Sequence, residues 1–156
     1  MGTVVTKLLI QTLPDIAIFG EKDYQQLLII KRLARDLDIP TKIIGAPTIR
    51  EIDGLAVSSR NVYLSPTHRE TAPSIFKVLK RTATAIALGD DASLAAQKAH
   101  DDLVLAGFSK IEYFEARHSE TLEPIKDTRN PGRLFAAVWL GSTRLIDNLE
   151  IKAYSD

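Results

Sequence analysis

Residues 16–46 read I-A-I-F-G-E-K-D-Y-Q-Q-L-L-I-I-K-R-L-A-R-D-L-D-I-P-T-K-I-I-G-A, and this stretch decides the fold. Ile16-Ala17-Ile18-Phe19 is a short continuous apolar run, which suits a strand buried in a parallel sheet. Gly20 ends it, and Asp23 stands where a helix N-cap is expected. Over 24–37, Leu27, Ile30, Leu33, Ala34 and Leu37 recur on one helical face. Pro40 closes that pattern, and Thr41-Lys42-Ile43-Ile44 is a second strand of the buried type. Strand, helix, strand is the βαβ unit of a nucleotide-binding sheet.

Upstream, residues 3–13 read as a helix ended by Pro14 and Asp15. Its apolar pattern, Val4, Val5, Leu8 and Leu9, begins directly after Met1-Gly2, as expected of a piece cut from inside a larger protein. Downstream of Pro47, residues 48–64 are polar and irregular. Ser65-Pro66 then pairs an N-cap with a first-position proline. Helical patterns cover 66–88, with Pro73 as a break, and 92–106, closed by Gly107. Strands are expected over 110–116, 134–140 and 145–151, with a turn at Arg129-Asn130-Pro131-Gly132. Helices followed by strands indicate a compact α+β unit. Its core is expected around Leu134, Ala136, Val138 and Leu140.

Formal net charge is zero, so no basic excess favours a nucleic-acid backbone or a membrane surface. Of the 156 residues 45% are apolar, enough to build a core, and no apolar run approaches the ~20 residues of a spanning helix. No secretory leader pattern opens the sequence. Cysteine is absent, which removes disulfides, thiolate metal sites and a cysteine nucleophile, and fits a reducing cytoplasm. His68, His100 and His118 are scattered without metal-ligand spacing.

Two segments carry candidate chemistry. Gly20-Glu21-Lys22-Asp23 lies where a strand's carboxyl end meets a helix N-terminus, the place where α/β sheets bind ligands. Free amides and the helix dipole favour phosphate there. Gly20 would let a ligand approach the backbone, Lys22 would meet a phosphate, and Asp23 would accept from ribose hydroxyls. The alternative is a charged loop capping a helix. Ser58-Ser59-Arg60-Asn61 is the second segment, in the polar loop reached through Asp53-Gly54. Two hydroxyls beside a guanidinium can grip a polyphosphate, although this is also ordinary loop composition. Gln25 and Gln26 open the helix as a solvated first turn or as substrate ligands. Trp139 reads as core, Asp101-Asp102 as a solvated helix face, and His118 with Glu120 as a surface loop.

Together these segments resemble one family. The run F-G-E-K-D-Y-Q-Q-L at 19–27 resembles the second ATP motif of the pantoate–β-alanine ligases. P-T-I-R-E-I-D-G-L-A-V-S-S-R-N-V-Y-L at 47–64 resembles their phosphate loop. The late runs A-V-W-L-G at 137–141 and R-L-I-D-N at 144–148 resemble their C-terminal strands. The resemblance implies an ATP-dependent acid–amine ligase acting through pantoyl-adenylate, releasing AMP and pyrophosphate, with Mg2+ accompanying ATP. It implies that Gly20, Glu21, Lys22 and Asp23 hold the ribose and phosphates and that Ile49 offers its backbone to adenine. Val57, Ser58, Ser59 and Arg60 would embrace the triphosphate, and Gln26 would bind pantoate. Lys22, Ser58, Ser59 and Arg60 would carry the catalytic charge stabilisation.

The implied fold is an α/β remnant of a Rossmann-like nucleotidyltransferase domain over 1–62. A small α+β domain with an antiparallel sheet follows over 63–156. The family's H-x-G-H-type motif, a second pantoate-binding Gln and the metal-binding side chains lie N-terminal to this segment. The chain alone is therefore expected to be inactive. The full-length family enzyme is expected to be a cytoplasmic homodimer, and the oligomeric state of this chain stays open. A non-catalytic α+β interaction module and another adenylyl-transferring enzyme of the same superfamily are the alternatives. The two ATP-type motifs argue against the first, and the Gln-Gln after G-E-K-D together with the S-S-R-N form argues against the second.

Overall fold

A computed structural model describes residues 2–127, 129 and 131–152. By contacts the chain divides into two compact units, Met1–Thr48 and Ile49–Asp156. The first contains helix α1 (Gly2–Thr12), strand β1 (Ile16–Gly20), a 3-10 turn (Glu21–Asp23), helix α2 (Tyr24–Asp36) and strand β2 (Lys42–Ala46). β1 and β2 pair in parallel, with Ile16 opposite Lys42 and Gly20 opposite Ala46. This is the strand–helix–strand order read from the periodicities.

α2 buries Leu27, Ile30 and Ala34. Leu9, Ala34 and Ile39 form a small core, with Val5, Ala17, Leu33 and Ile43 against it. The strands are not buried on both faces as their apolar runs suggest: Ile16 is 52% and Ile18 67% exposed. Successive side chains alternate across a strand. Ala17 therefore reaches the helices, while Ile16 and Ile18 face away from them in a sheet that has two strands among the described residues. Leu37, expected on the buried face of α2, is also exposed, because it follows the last helical turn.

The second unit contains a 3-10 turn (Ser59–Tyr63), helices α3 (Pro66–Thr71), α4 (Ser74–Ala87) and α5 (Ala92–Leu105), and strands β3 (Lys110–His118), β4 (Gly132–Leu140) and β5 (Thr143–Ile151). The strands form an antiparallel sheet in the order β3-β4-β5. Ser65 caps α3 by accepting from the His68 amide, Pro66 occupies the first turn, and the helix stops before Pro73. Asp91 caps α5 by accepting from the Ser93 and Leu94 amides. Leu134, Ala136, Val138 and Leu140 of β4 join Ile75, Leu79 and Ile86 of α4 and Leu103 of α5 in the main core.

Trp139 is not core. It is half-buried, and its indole N–H donates to Glu112 across the β3–β4 pair at 3.1 Å. Asp102 is not simply solvated either, because it pairs with Arg81 of α4. The expected turn at 129–132 falls partly outside the described residues, at Asn130.

The contact division falls at Thr48/Ile49, ahead of the polar loop, whereas the boundary expected from the sequence follows that loop at 62/63. The loop groups with the second unit because Leu55 enters the main core and Arg50 is ion-paired to β5.

Candidate functional site

The sequence-predicted residues fall into two groups, one in each unit. In the first, β1 runs out at Gly20 and the 3-10 turn delivers Glu21, Lys22 and Asp23 directly onto the N-terminus of α2. Asp23 does not cap that helix. Its backbone (φ −96°, ψ 57°) is not the extended form a side-chain cap uses, and its carboxylate makes no cap bond. The first amides of α2 thus receive no bond from Asp23, as an anion site at this helix end requires. Asp23 and Gln25 are exposed, and Glu21, Lys22 and Gln26 are half-buried.

Two glycines shape this corner. Gly20 is extended (φ −70°, ψ 136°), and a Cβ there would meet nothing within 4 Å. Neither backbone strain nor crowding within the chain demands glycine at 20. Gly45 of β2 is different: a Cβ there would come within 2.9 Å of Leu27 and 3.1 Å of the Glu21 side chain. Gly45 therefore makes room for Glu21 to lie across the end of β2 and for Leu27 to pack beneath it.

In the second unit the polar loop is an ordered ribbon. The Val57 amide donates to Ile49 (3.0 Å), the Glu51 amide to Leu55 (2.8 Å) and the Gly54 amide to Glu51 (2.9 Å). Gly54 sits at φ +96°, where L side chains are strained, and a Cβ there would lie 2.6 Å from the Phe76 ring. The ribbon feeds the 3-10 turn that carries Ser59, Arg60 and Asn61. Ser58 caps that turn, its Oγ accepting from the Arg60 amide at 3.3 Å. Arg60 is exposed, and its guanidinium donates to the Arg144 carbonyl of β5 at 3.4 Å. Ile49 and Val57 are also exposed. Ser58, Ser59 and Arg60 are thus adjacent on one turn, with Arg60 reaching the sheet edge.

Three residues that sequence reasoning missed hold this loop. Arg50 makes a bidentate pair with Asp147 of β5 (2.6 and 2.9 Å) and donates to the Gly54 carbonyl at 3.1 Å. Its guanidinium lies 3.7 Å over the Phe76 ring. Asp147 is only 5% exposed, and truncating one partner of a buried pair costs about 3–5 kcal/mol. Arg69 of α3 donates to both Glu51 and Asp53, each at 2.6 Å, and holds the Asp53 carboxyl below its usual range. The available signal was Asp147 itself, an acidic residue on the alternating face of β5 that otherwise carries Leu145, Leu149 and Ile151, where a buried carboxylate calls for a cationic partner.

Elsewhere, Arg144 forks onto Glu112 (2.8 and 3.0 Å). With the Trp139 N–H it pulls the Glu112 carboxyl down to about 2. His118 gathers no catalytic partner, since its Nδ1 accepts from the Glu120 and Thr121 amides and secures a turn. A groove of about 260 Å³ between α5 and β3, lined by Ser93, Gln97, His100, Phe114, Arg117 and Ile125, holds none of the predicted residues. Among the described residues, no three His, Cys, Asp or Glu side chains gather as metal ligands, and no helix is long and apolar enough to cross a membrane.

Comparison with known proteins agrees with the motifs. The family profile described as Pantoate-beta-alanine ligase matches residues 1–150. The chain is 54% identical over 150 residues to the pantothenate synthetase of Rhodopseudomonas palustris (strain BisA53), covering 96% of this chain and 53% of that protein. A crystal structure of pantothenate synthetase from Thermus thermophilus is similar with a TM-score of 0.90 at 41% identity, covering 96% of this chain and 54% of that one. A pantoate-beta-alanine ligase from Francisella tularensis, complexed with beta-gamma ATP and beta-alanine, is similar with a TM-score of 0.71 at 35% identity, covering 96% of this chain and 49% of that one. The chain spans about half the length of the relatives it matches.

Proposed function

Because the chain belongs to the pantoate–β-alanine ligase family, we propose that it is the C-terminal half of an ATP-dependent ligase joining pantoate to β-alanine. On this reading residues 1–62 complete a Rossmann-like nucleotidyltransferase domain and 63–156 form the following α+β domain. In the first half-reaction a pantoate carboxylate oxygen attacks the α-phosphorus of ATP, and the bond to pyrophosphate breaks. In the second, the β-alanine amine attacks the acyl carbon of pantoyl-adenylate, AMP leaves, and the amine gives up a proton. The whole enzyme works in the cytoplasm as a homodimer.

The carrying observation is the position of G-E-K-D, at the carboxyl end of a parallel strand and the entry to a helix whose N-cap residue makes no side-chain cap bond. That geometry suits the ribose and phosphates of ATP. Gly20 and Glu21 open the turn, Lys22 meets phosphate charge, Asp23 accepts from the ribose, and Gln26, one turn further on, hydrogen-bonds pantoate. On the same reading Ile49 offers its backbone to adenine, and Val57, Ser58, Ser59 and Arg60 hold the triphosphate. Such donors act by stabilising charge that develops as pyrophosphate leaves, each worth roughly 2.7–4 kcal/mol. Magnesium arrives with the phosphates and takes its protein ligands from outside this chain.

The test is ATP–pyrophosphate exchange in the full-length ligase. Lys22→Ala and Arg60→Ala should each lower it ~100-fold or more, with pantoate affinity nearly kept. Exchange within ~3-fold of wild type for both would remove the phosphate roles. The chain alone should form no pantothenate; turnover near ~10 s⁻¹, an ordinary enzymatic rate, would overturn the half-enzyme reading.

A further inference from the structure

We propose that the Arg50–Asp147 pair is a positioning latch that sets the Ser58-Ser59-Arg60 turn for ATP, a role resting on the reading just given. The turn has little core beneath it: Ser59, Arg60, Val62 and Tyr63 are exposed, and Ser58 and Asn61 are half-buried. Its placement must come from polar anchors. On its N-terminal side the ribbon is tied to β5 by the Arg50 fork on Asp147, with a further contact from Arg50 to the Asn148 carbonyl at 3.4 Å. The same guanidinium binds the Gly54 carbonyl and stacks on Phe76, so one group fixes the ribbon's tip, its limb and its distance from α4.

On the C-terminal side the contacts are longer: Arg60 on the Arg144 carbonyl at 3.4 Å, and Thr143 Oγ1 donating to the Tyr63 carbonyl at 3.5 Å. Arg50 is therefore the tight anchor to the sheet, Arg69 clamps Glu51 and Asp53 to α3, and Arg60 is the loosely held end. Arg60 can leave a backbone carbonyl for a phosphate while the loop's base stays fixed. A planar fork suits this, because its two arms meet both Asp147 oxygens while one also reaches the Gly54 carbonyl, a fixed geometry that a point charge does not reproduce. Arg50 touches no substrate on this reading and acts through the turn it holds.

The experiment has two arms. In the chain as it stands, backbone hydrogen exchange of Asp147→Asn should lose at least ~10-fold protection at the Glu51, Gly54 and Val57 amides, while Val138 and Leu145 keep theirs. In the full-length ligase, Asp147→Asn and the milder Arg50→Lys should raise KM for ATP ~10-fold or more and leave KM for pantoate within ~2-fold. Val138→Ala, which loosens the same core without touching the latch, should leave both constants unchanged. Unchanged ribbon protection, or an ATP KM moved equally by Val138→Ala, overturns the latch. Should Asp147→Asn fail to fold, Arg50→Lys decides alone. If the wild-type full-length protein makes no pantothenate, the ligase reading fails rather than the latch, which the exchange arm then judges.

Discussion

Gly54→Ala tests how tightly the ribbon is built against α4. Two costs combine at this site. An L side chain at φ +96° strains the backbone by about 1–2 kcal/mol. The new Cβ would also sit 2.6 Å from Phe76, a ring already pinned under the Arg50 guanidinium, and such overpacking costs about 1–3 kcal/mol. Gly89→Ala isolates the first cost, because Gly89 has φ +109° with nothing within 4 Å of its Cβ. Both glycines belong to the second unit, as does Trp139, the only tryptophan. Urea unfolding followed by Trp139 fluorescence therefore reports the relevant transition for both. Gly54→Ala should be the less stable variant by about 1–3 kcal/mol, which is roughly a 1 M fall in midpoint. Equal midpoints would refute the reasoning, since they would mean that Phe76 moves aside freely and the ribbon is not clamped.

Gly20→Ala should behave in the opposite way. The extended backbone and open space predict unchanged or slightly raised stability, and ATP affinity in the full-length ligase should fall; unchanged ATP affinity would show that no ligand approaches Gly20. Gln26→Ala in the same protein should raise KM for pantoate and leave ATP affinity nearly unchanged, and an equal loss of both would move Gln26 into the nucleotide site. Glu112, held at about 2 against an ordinary 4.5 by Arg144 and Trp139, stabilises the sheet above about pH 4.5, and that contribution is lost as pH falls toward 2. In Arg144→Ala the Glu112 carboxyl, followed by NMR titration, should return toward its ordinary range; a value still near 2 would mean that Arg144 is not the cause.

The local elements were legible because each rests on a short-range rule. The 3.6-residue recurrence of Leu27, Ile30 and Ala34 is α2, Ser65-Pro66 starts α3, and the apolar run 134–140 is the central strand β4. The residues proposed to meet substrates were named from the same kind of short-range rule: apart from Ile49 they lie in two contiguous motifs, Gly20 to Gln26 and Val57 to Arg60. What the sequence could not decide depends on partners far apart along the chain. Whether Ile16 and Ile18 are covered depends on how many strands join the sheet, which an apolar run does not encode. Trp139 looked like core, yet register places its indole beside Glu112 and leaves it half-exposed. Arg50 sits inside a polar motif whose composition marks it as one more solvated cation. Only the fold brings Asp147 to it across 97 residues of chain and makes a part-buried fork of the pair, because burial and charge pairing are properties of three-dimensional neighbours rather than of sequence neighbours.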